Sequence, residues 1–259
     1  MKKTFFCSDF HFGITGKESS KEREQLFLSW LNEIREEMDS LYLVGDLFDF
    51  WFEYKRVVPK GGIRVLAALA ELNENGIPVH LFSGNHDQWM KHYFEEELGL
   101  SVYHDPIDVT IGSKKIRIGH GDGLGPGDHG YKFIKKVFRH PVSRALFALI
   151  PPGIGIPMAR YWSGESRSKG VKENKFMGPE KEWLIQYCED QVSHHGSEID
   201  YFIFGHRHLP IEWQLSNGSH YINLGDWLVY HSYAVLDQGR LELKFFKSSL
   251  EKVYSNHQS

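Results

Sequence analysis

Ile77-Pro78-Val79-His80-Leu81-Phe82-Ser83-Gly84-Asn85-His86-Asp87 is a short apolar run that stops at a glycine and then presents an amide, an imidazole and a carboxylate in succession. A run of this length and composition predicts a buried strand, and Gly84 marks a tight turn at its end. Taken alone, Ser83 to Asp87 reads equally well as ordinary turn residues. The rest of the chain decides, because four other apolar runs stop in the same manner.

N-terminal to this stretch, Thr4-Phe5-Phe6-Cys7 leads into Asp9-Phe10-His11-Phe12-Gly13, and Leu41-Tyr42-Leu43-Val44 leads into Gly45-Asp46-Leu47-Phe48-Asp49. Leu26, Phe27, Trp30, Leu31 and Ile34 recur at helical spacing and predict an amphipathic helix over 22–37. A second helix is expected over 62–73, with Asn75-Gly76 as its stop. Strand and helix alternate, which implies parallel strands covered by helices. Beyond Asn85 the pattern shifts to short strands at 102–103, 107–111 and 115–118, with a hairpin turn at Gly112-Ser113. The last of these runs into Gly119-His120-Gly121-Asp122. A helix from Pro179 to His194 and a strand from Tyr201 to Phe204 follow, and that strand ends at Gly205-His206-Arg207-His208. Strands at 211–215, 221–224, 233–236 and 241–246 complete the reading. No repeat or long linker divides the chain, so one α/β domain over 1–259 is expected.

A net charge of −4 over 259 residues does not favour nucleic acid as a partner. Two cysteines, Cys7 and Cys188, cannot form a disulfide framework, and a reducing compartment fits. The first apolar run is too short for a signal peptide or a membrane span. A cytoplasmic protein is expected.

The five strand ends carry Asp9 and His11, Asp46, Asn85 and His86, His120, and His206 and His208. Open α/β sheets form their sites at the carboxyl ends of strands. A set of imidazole, carboxylate and amide without thiolate suits Mn(II), Fe(II), Zn(II) or Co(II) better than a structural zinc. With His86 left aside, seven candidate ligands exceed the needs of one ion and suit two if a carboxylate bridges. Two ions about 3.5–4 Å apart clamp a phosphoryl group and activate a water. Asp46, alone on its strand end, is the natural bridge.

The series Asp9-Phe10-His11, Gly45-Asp46-Leu47-Phe48-Asp49, Gly84-Asn85-His86-Asp87, Gly119-His120-Gly121-Asp122 and Gly205-His206-Arg207-His208 resembles the calcineurin-like metallophosphoesterases over nearly the whole chain. The resemblance implies a β-sandwich flanked by helices and hydrolysis at a dinuclear metal centre. By position in the motifs, Asp9, His11 and His208 would hold one ion; Asn85, His120 and His206 would hold the other, with Asp46 between them. His86 would stand beside the phosphate, stabilising developing charge or protonating the leaving oxygen, with Asp87 orienting it.

Residues 124–178 form an insert between His120 and His206. Tyr131, Phe133, Ile134, Val137, Phe138, Leu146, Phe147, Leu149 and Ile150 alternate with Lys132, Lys135, Lys136, Arg139 and Arg144, and no acidic residue occurs from Tyr131 through Tyr161. Pro141 should divide this into two short helices, the second ended by Pro151-Pro152-Gly153. Basic amphipathic helices of this kind suit an anionic membrane surface or a lipid substrate; the other reading is a helical cap whose charges are only solvated.

Within the superfamily the chain is most similar to the UDP-2,3-diacylglucosamine hydrolases of lipid A synthesis, on Gly45 to Trp51, the His120-Gly121-Asp122 loop leading to Gly130-Tyr131, and an insert of this size. That resemblance implies cleavage of a lipid-linked sugar nucleotide at its pyrophosphate, giving UMP and a lipid monophosphate, with the insert capping the site. It also implies substrate contacts from Asn85, Asp122, Arg167, Ser168, Lys169 and Lys172, two Mn(II) ions, and peripheral contact with the inner face of the plasma membrane. One departure is His86, where better-known members carry arginine. Another phosphodiester, pyrophosphate or phosphomonoester substrate is the second reading. A scaffold that has lost catalysis is the third, and the retention of all seven ligands opposes it.

Overall fold

The computed structural model describes residues 2–14, 19–127, 129–170, 175–195 and 198–256, with backbone alone for 165–170 and 194–195. Strands β1 (Lys3–Cys7), β2 (Met38–Val44), β3 (Val79–Phe82) and β4 (Ser101–Tyr103) lie parallel in one sheet. The second sheet holds β5 (Ile107–Ile111), β6 (Lys114–Gly119), β7 (Tyr201–Phe204), β8 (Pro210–Gln214), β9 (His220–Leu224) and β12 (Tyr254–Ser255), in the order β12-β8-β9-β7-β6-β5. The chain then returns to the first sheet, where β10 (Ser232–Asp237) pairs antiparallel with β1 and β11 (Arg240–Phe245) forms the edge.

The two sheets pack face to face, as the alternation of strand side chains requires. Phe6, Val44 and Phe82 from one sheet meet Ile118, Ile203 and Ile222 from the other. The neighbouring residues Phe5, Cys7, Leu43 and Leu81 point the opposite way, into a core shared with helices α1 (Ser20–Ile34), α2 (Ile63–Glu74) and α3 (Tyr93–Leu98). Phe202, Phe204 and Tyr221 likewise pack under Leu184, Ile185 and Cys188 of a helix that follows the insert. Strands buried on both faces read as unbroken apolar runs, which is why these strands were legible.

Among its described residues the insert forms three helices, α4 (His129–Arg139), α5 (Pro141–Ala148) and α6 (Pro152–Gly170). The expected division at Pro141 holds, and the second helix ends at Ala148, before Pro151-Pro152-Gly153; the third helix was not expected. Pro152 opens α6, where the missing N–H costs nothing because a first-turn amide has no helical partner. The Pro151 carbonyl accepts from Ile154 N–H at 2.8 Å and Gly155 N–H at 2.9 Å. Phe147 and Ala159 dock the insert on Phe50, Phe52 and Trp89, with Phe147 4.7 Å from both Phe52 and Trp89, ring centre to ring centre. Trp89 Nε1 donates to the Phe138 carbonyl at 2.8 Å.

Other differences are local. The helix predicted over 22–37 starts two residues earlier, at Ser20, because Ser19 and Glu22 form a reciprocal cap, and it tightens to a 3-10 turn at Arg35–Glu37. The helix expected from Pro179 begins as a 3-10 turn, Pro179–Lys181, and becomes α7 (Trp183–His195) after Glu182. The short helix α3 went unpredicted.

Candidate metal centre

The loops after β1 and β2 are zipped together: Asp9 N–H donates to the Gly45 carbonyl at 3.1 Å, and Phe10 and His11 N–H both donate to the Asp46 carbonyl at 3.0 Å. Asp9, His11, Asp46, His206 and His208 all adopt the left-handed region, with φ of 58°, 47°, 51°, 69° and 52°. Each such residue costs roughly 1–2 kcal/mol relative to glycine-like freedom, and five together at strand ends mark backbone held against its preference for function. Gly84 is required because a Cβ there would lie 2.1 Å from Asp46 Oδ1. The loop after β3 thereby passes directly over the Asp46 carboxylate, and His86 N–H donates to Asp46 Oδ1 at 2.9 Å.

Asp46 Oδ2 stands between two imidazoles, 3.6 Å from His11 Nε2 and 3.3 Å from His120 Nε2. His120 Nε2 is also 3.2 Å from Asn85 Oδ1, while its Nδ1 is 3.0 Å from the Val44 carbonyl. Asp9 Oδ1 is 3.9 Å from His11 Nε2 and 3.3 Å from His208 Nε2, and Asp9 Oδ2 accepts the His206 N–H at 3.0 Å. The His206 ring lies edge-on to His120 at 5.1 Å. Among the described residues, three overlapping groups have possible ligand atoms within 4.8 Å of one another: Asp9, His11 and His208; Asp9, Asp46 and His120; and His11, Asp46 and His86.

These residues fit divalent cations on their own terms. Asp9 Oδ1 and His11 Nε2 are buried and have no hydrogen-bond partner, a state that costs about 1–3 kcal/mol per group unless something satisfies it. Burial pushes the His11 imidazole well below the usual histidine range, and burial with His120 nearby takes His206 down to about 3. Burial opposes charge on His120 and His208, yet Asp46 pushes the first up to about 10, and Asp9 with Asp226 pushes the second to about 9. Burial would also raise the Asp46 carboxyl, but the His120, His86 and His11 rings hold it well below the carboxylate range. An ion bound at His120 and His208 would have to displace the protons that Asp46, Asp9 and Asp226 favour there.

The family model of the calcineurin-like phosphoesterases matches residues 2–210. The chain is a calcineurin-like phosphoesterase. As such it is a metal-dependent hydrolase. The UDP-2,3-diacylglucosamine hydrolase of Porphyromonas gingivalis is 37% identical over 254 residues, covering 93% of this chain and 97% of that protein. The protein of the same name from Stenotrophomonas maltophilia is 28% identical over 243 residues, 91% of this chain and 95% of that one. Among solved structures, the phosphoesterase Yfce from E. coli aligns at a TM-score of 0.48 and 15% identity, covering 95% of this chain and 93% of that one.

The phosphoesterase holds His86 differently from the sequence expectation. Asp87 does not orient it: the Asp87 carboxylate is turned to the backbone, accepting Gly84 N–H at 2.7 Å and Phe48 N–H at 3.2 Å. Burial, with Asp46 nearby, raises that carboxyl to about 7. His86 Nδ1 instead meets Asp49 and Ser163. Asp122 is engaged from α4, with Tyr131 Oη donating at 2.7 Å and Lys135 Nζ at 2.6 Å. Arg167, Ser168 and Lys169 fall on α6 where only backbone is described, and Lys172 lies outside the described residues.

Sequence reading missed the partners behind the candidate ligands. Asp226 Oδ2 is 3.2 Å from His208 Nδ1, and its Oδ1 accepts the N–H groups of Leu228, Val229 and Tyr230. The signal was present: Leu224-Gly225-Asp226 repeats the strand-Gly-Asp pattern of Val44-Gly45-Asp46. Arg207, between two ligand candidates, forms a buried two-point pair with Glu182 at 2.8 Å for each bond and stacks 4.9 Å over Trp183.

Two hollows flank the centre, and α4 walls both. One, of about 340 Å3, is mainly apolar and is lined by Phe50, Trp89, Ile134, Phe138, Ala159 and Trp162, reaching Asn85 and His86. The other, of about 580 Å3, is lined by Lys132, Lys135, Lys136 and Arg139 and reaches His120 and Asp122.

Proposed function

We propose that this phosphoesterase cleaves the pyrophosphate of UDP-2,3-diacylglucosamine to UMP and 2,3-diacylglucosamine 1-phosphate. The observation that carries the reading is the apolar hollow under the insert, which opens onto Asn85 and His86 and so brings an acyl-bearing substrate to the metal centre. The insert, residues 124–178, acts as a cap within a single domain and receives the acyl chains. Asp9, His11 and His208 would hold one ion and Asn85, His120 and His206 the other, with Asp46 between them; Mn(II) is the ion proposed. When bound, the ions supply Lewis acidity to the phosphoryl oxygens and a nucleophile at neutral pH. His86 faces the reacting phosphate and stabilises the departing group. Asp122, with Arg167, Ser168, Lys169 and Lys172, contacts the sugar and phosphates.

Mn(II)-dependent release of UMP from UDP-2,3-diacylglucosamine, compared with hydrolysis of bis(p-nitrophenyl) phosphate, tests the assignment. Preference for the lipid nucleotide is expected. Turnover of the simple diester alone would replace it with the second reading, a phosphoesterase for another substrate.

The protein is proposed to work in the cytoplasm against the inner face of the plasma membrane. Among the described residues no helix is long and apolar enough to span a bilayer. Phe133, Leu146, Leu149 and Ile154 are nonetheless exposed on the cap beside Lys136 and Arg144. Co-sedimentation with vesicles rich in anionic lipid is expected and should fall in Leu149→Asp; equal sedimentation of both proteins would remove the membrane role.

A further inference from the structure

We propose that Ser163, on cap helix α6, is a positioning residue for His86, so that the cap completes the catalytic apparatus as well as covering it. The inference rests on the hydrolytic reading of the site and not on the identity of the lipid substrate. His86 Nδ1 lies 2.6 Å from Ser163 Oγ and 3.2 Å from the Asp49 carbonyl. Ser163 Oγ is in turn 3.0 Å from that carbonyl and 2.9 Å from Asp49 Oδ1. A carbonyl only accepts, so Nδ1 carries the proton. One arrangement then satisfies every group: Nδ1–H donates to the carbonyl and to Ser163 Oγ, and the serine hydroxyl donates to Asp49 Oδ1. The Nδ1–H and the ring's rotation are both set, which leaves Nε2 for the reacting phosphate; Nε2 stabilises the departing oxygen when it too carries a proton.

The fold explains how a residue 77 positions away reaches this ring. Gly155, Ala159 and Ser163 succeed one another every fourth residue along one side of α6. A Cβ at Gly155 would come within 2.5 Å of Tyr54 Oη, and Ala159 is buried against the Phe50, Phe52 and Trp89 cluster. Small side chains let the helix lie close to the core, and the serine at the end of that row meets His86. Docking the cap and orienting the imidazole are therefore one event.

The test is a double-mutant cycle on the full chain loaded with Mn(II), using whichever of the two substrates above the wild type turns over. Ser163→Ala should lower kcat by roughly tenfold or more, with KM and bound metal unchanged, and Ser163→Thr should restore most of the loss. In a His86→Ala background, Ser163→Ala should cost nothing further, because a residue acting through His86 has nothing left to position. An equal loss in both backgrounds, a wild-type kcat for Ser163→Ala, or a loss that tracks metal content would each overturn the proposal. Because the cycle compares two backgrounds, a general loosening of the cap appears as additivity and counts against it. A wild type that hydrolyses neither substrate would defeat the hydrolytic reading instead.

Discussion

Asp226 and Arg207 show how single residues serve the centre without facing it. Asp226 holds His208 through Nδ1 with one oxygen and gathers three backbone N–H groups with the other. Asp226→Asn keeps an acceptor for the backbone but loses the carboxylate that orients the imidazole. Metal affinity, read by titration with Mn(II), should fall about 10–100-fold with little change in thermal stability. The Glu182 and Arg207 side chains are almost wholly buried together, at 2% and 4% exposure. Glu182→Ala removes the carboxylate that faces the buried guanidinium, and removing one partner of such a pair costs about 3–5 kcal/mol. Urea denaturation should show that loss, and Mn(II) affinity should weaken too, because Arg207 sits between His206 and His208.

At the scale of elements, the insert packs on the core through an aromatic cluster. Phe147 is buried to 7% exposure among Phe52, Tyr54 and Trp89. Phe147→Ala should cost about 3–5 kcal/mol, seen as a lower melting temperature or as early loss of the cap in amide exchange. Turnover should fall with it, since Ser163 and His86 meet only when α6 is docked. This element was also the hardest to read. A proline pair resembles a helix stop as much as a helix start, and the difference lies in whether a carbonyl waits to receive the next turn. By contrast, β1, β2, β3 and β7 were legible because burial on both faces leaves an uninterrupted apolar run.

Across the whole molecule, the centre ties the first sheet to the second: Asp9, Asp46 and Asn85 follow strands of one, His120 and His206 strands of the other. A ligand that binds only the folded state stabilises it by about 2.7 kcal/mol at a hundred times its dissociation constant. Chelation should therefore lower the melting temperature of the entire protein, and added Mn(II) should restore it. A melting temperature indifferent to both treatments would show that the cluster holds no tightly bound ion.

The sequence by itself determined the chemistry. Asp9, His11, Asp46, Asn85, His120, His206 and His208 stand at strand ends that local apolar pattern and glycine turns make visible. The fold then brings those ends together, because parallel strands in packed sheets send their carboxyl termini to one edge. What only the tertiary structure decided is the company each candidate ligand keeps. Asp87 braces the backbone, Asp49 and Ser163 take His86, and Asp226 takes His208. Those pairings depend on where a helix docks and which way a buried carboxylate turns. Packing sets both, and no spacing along the chain records them.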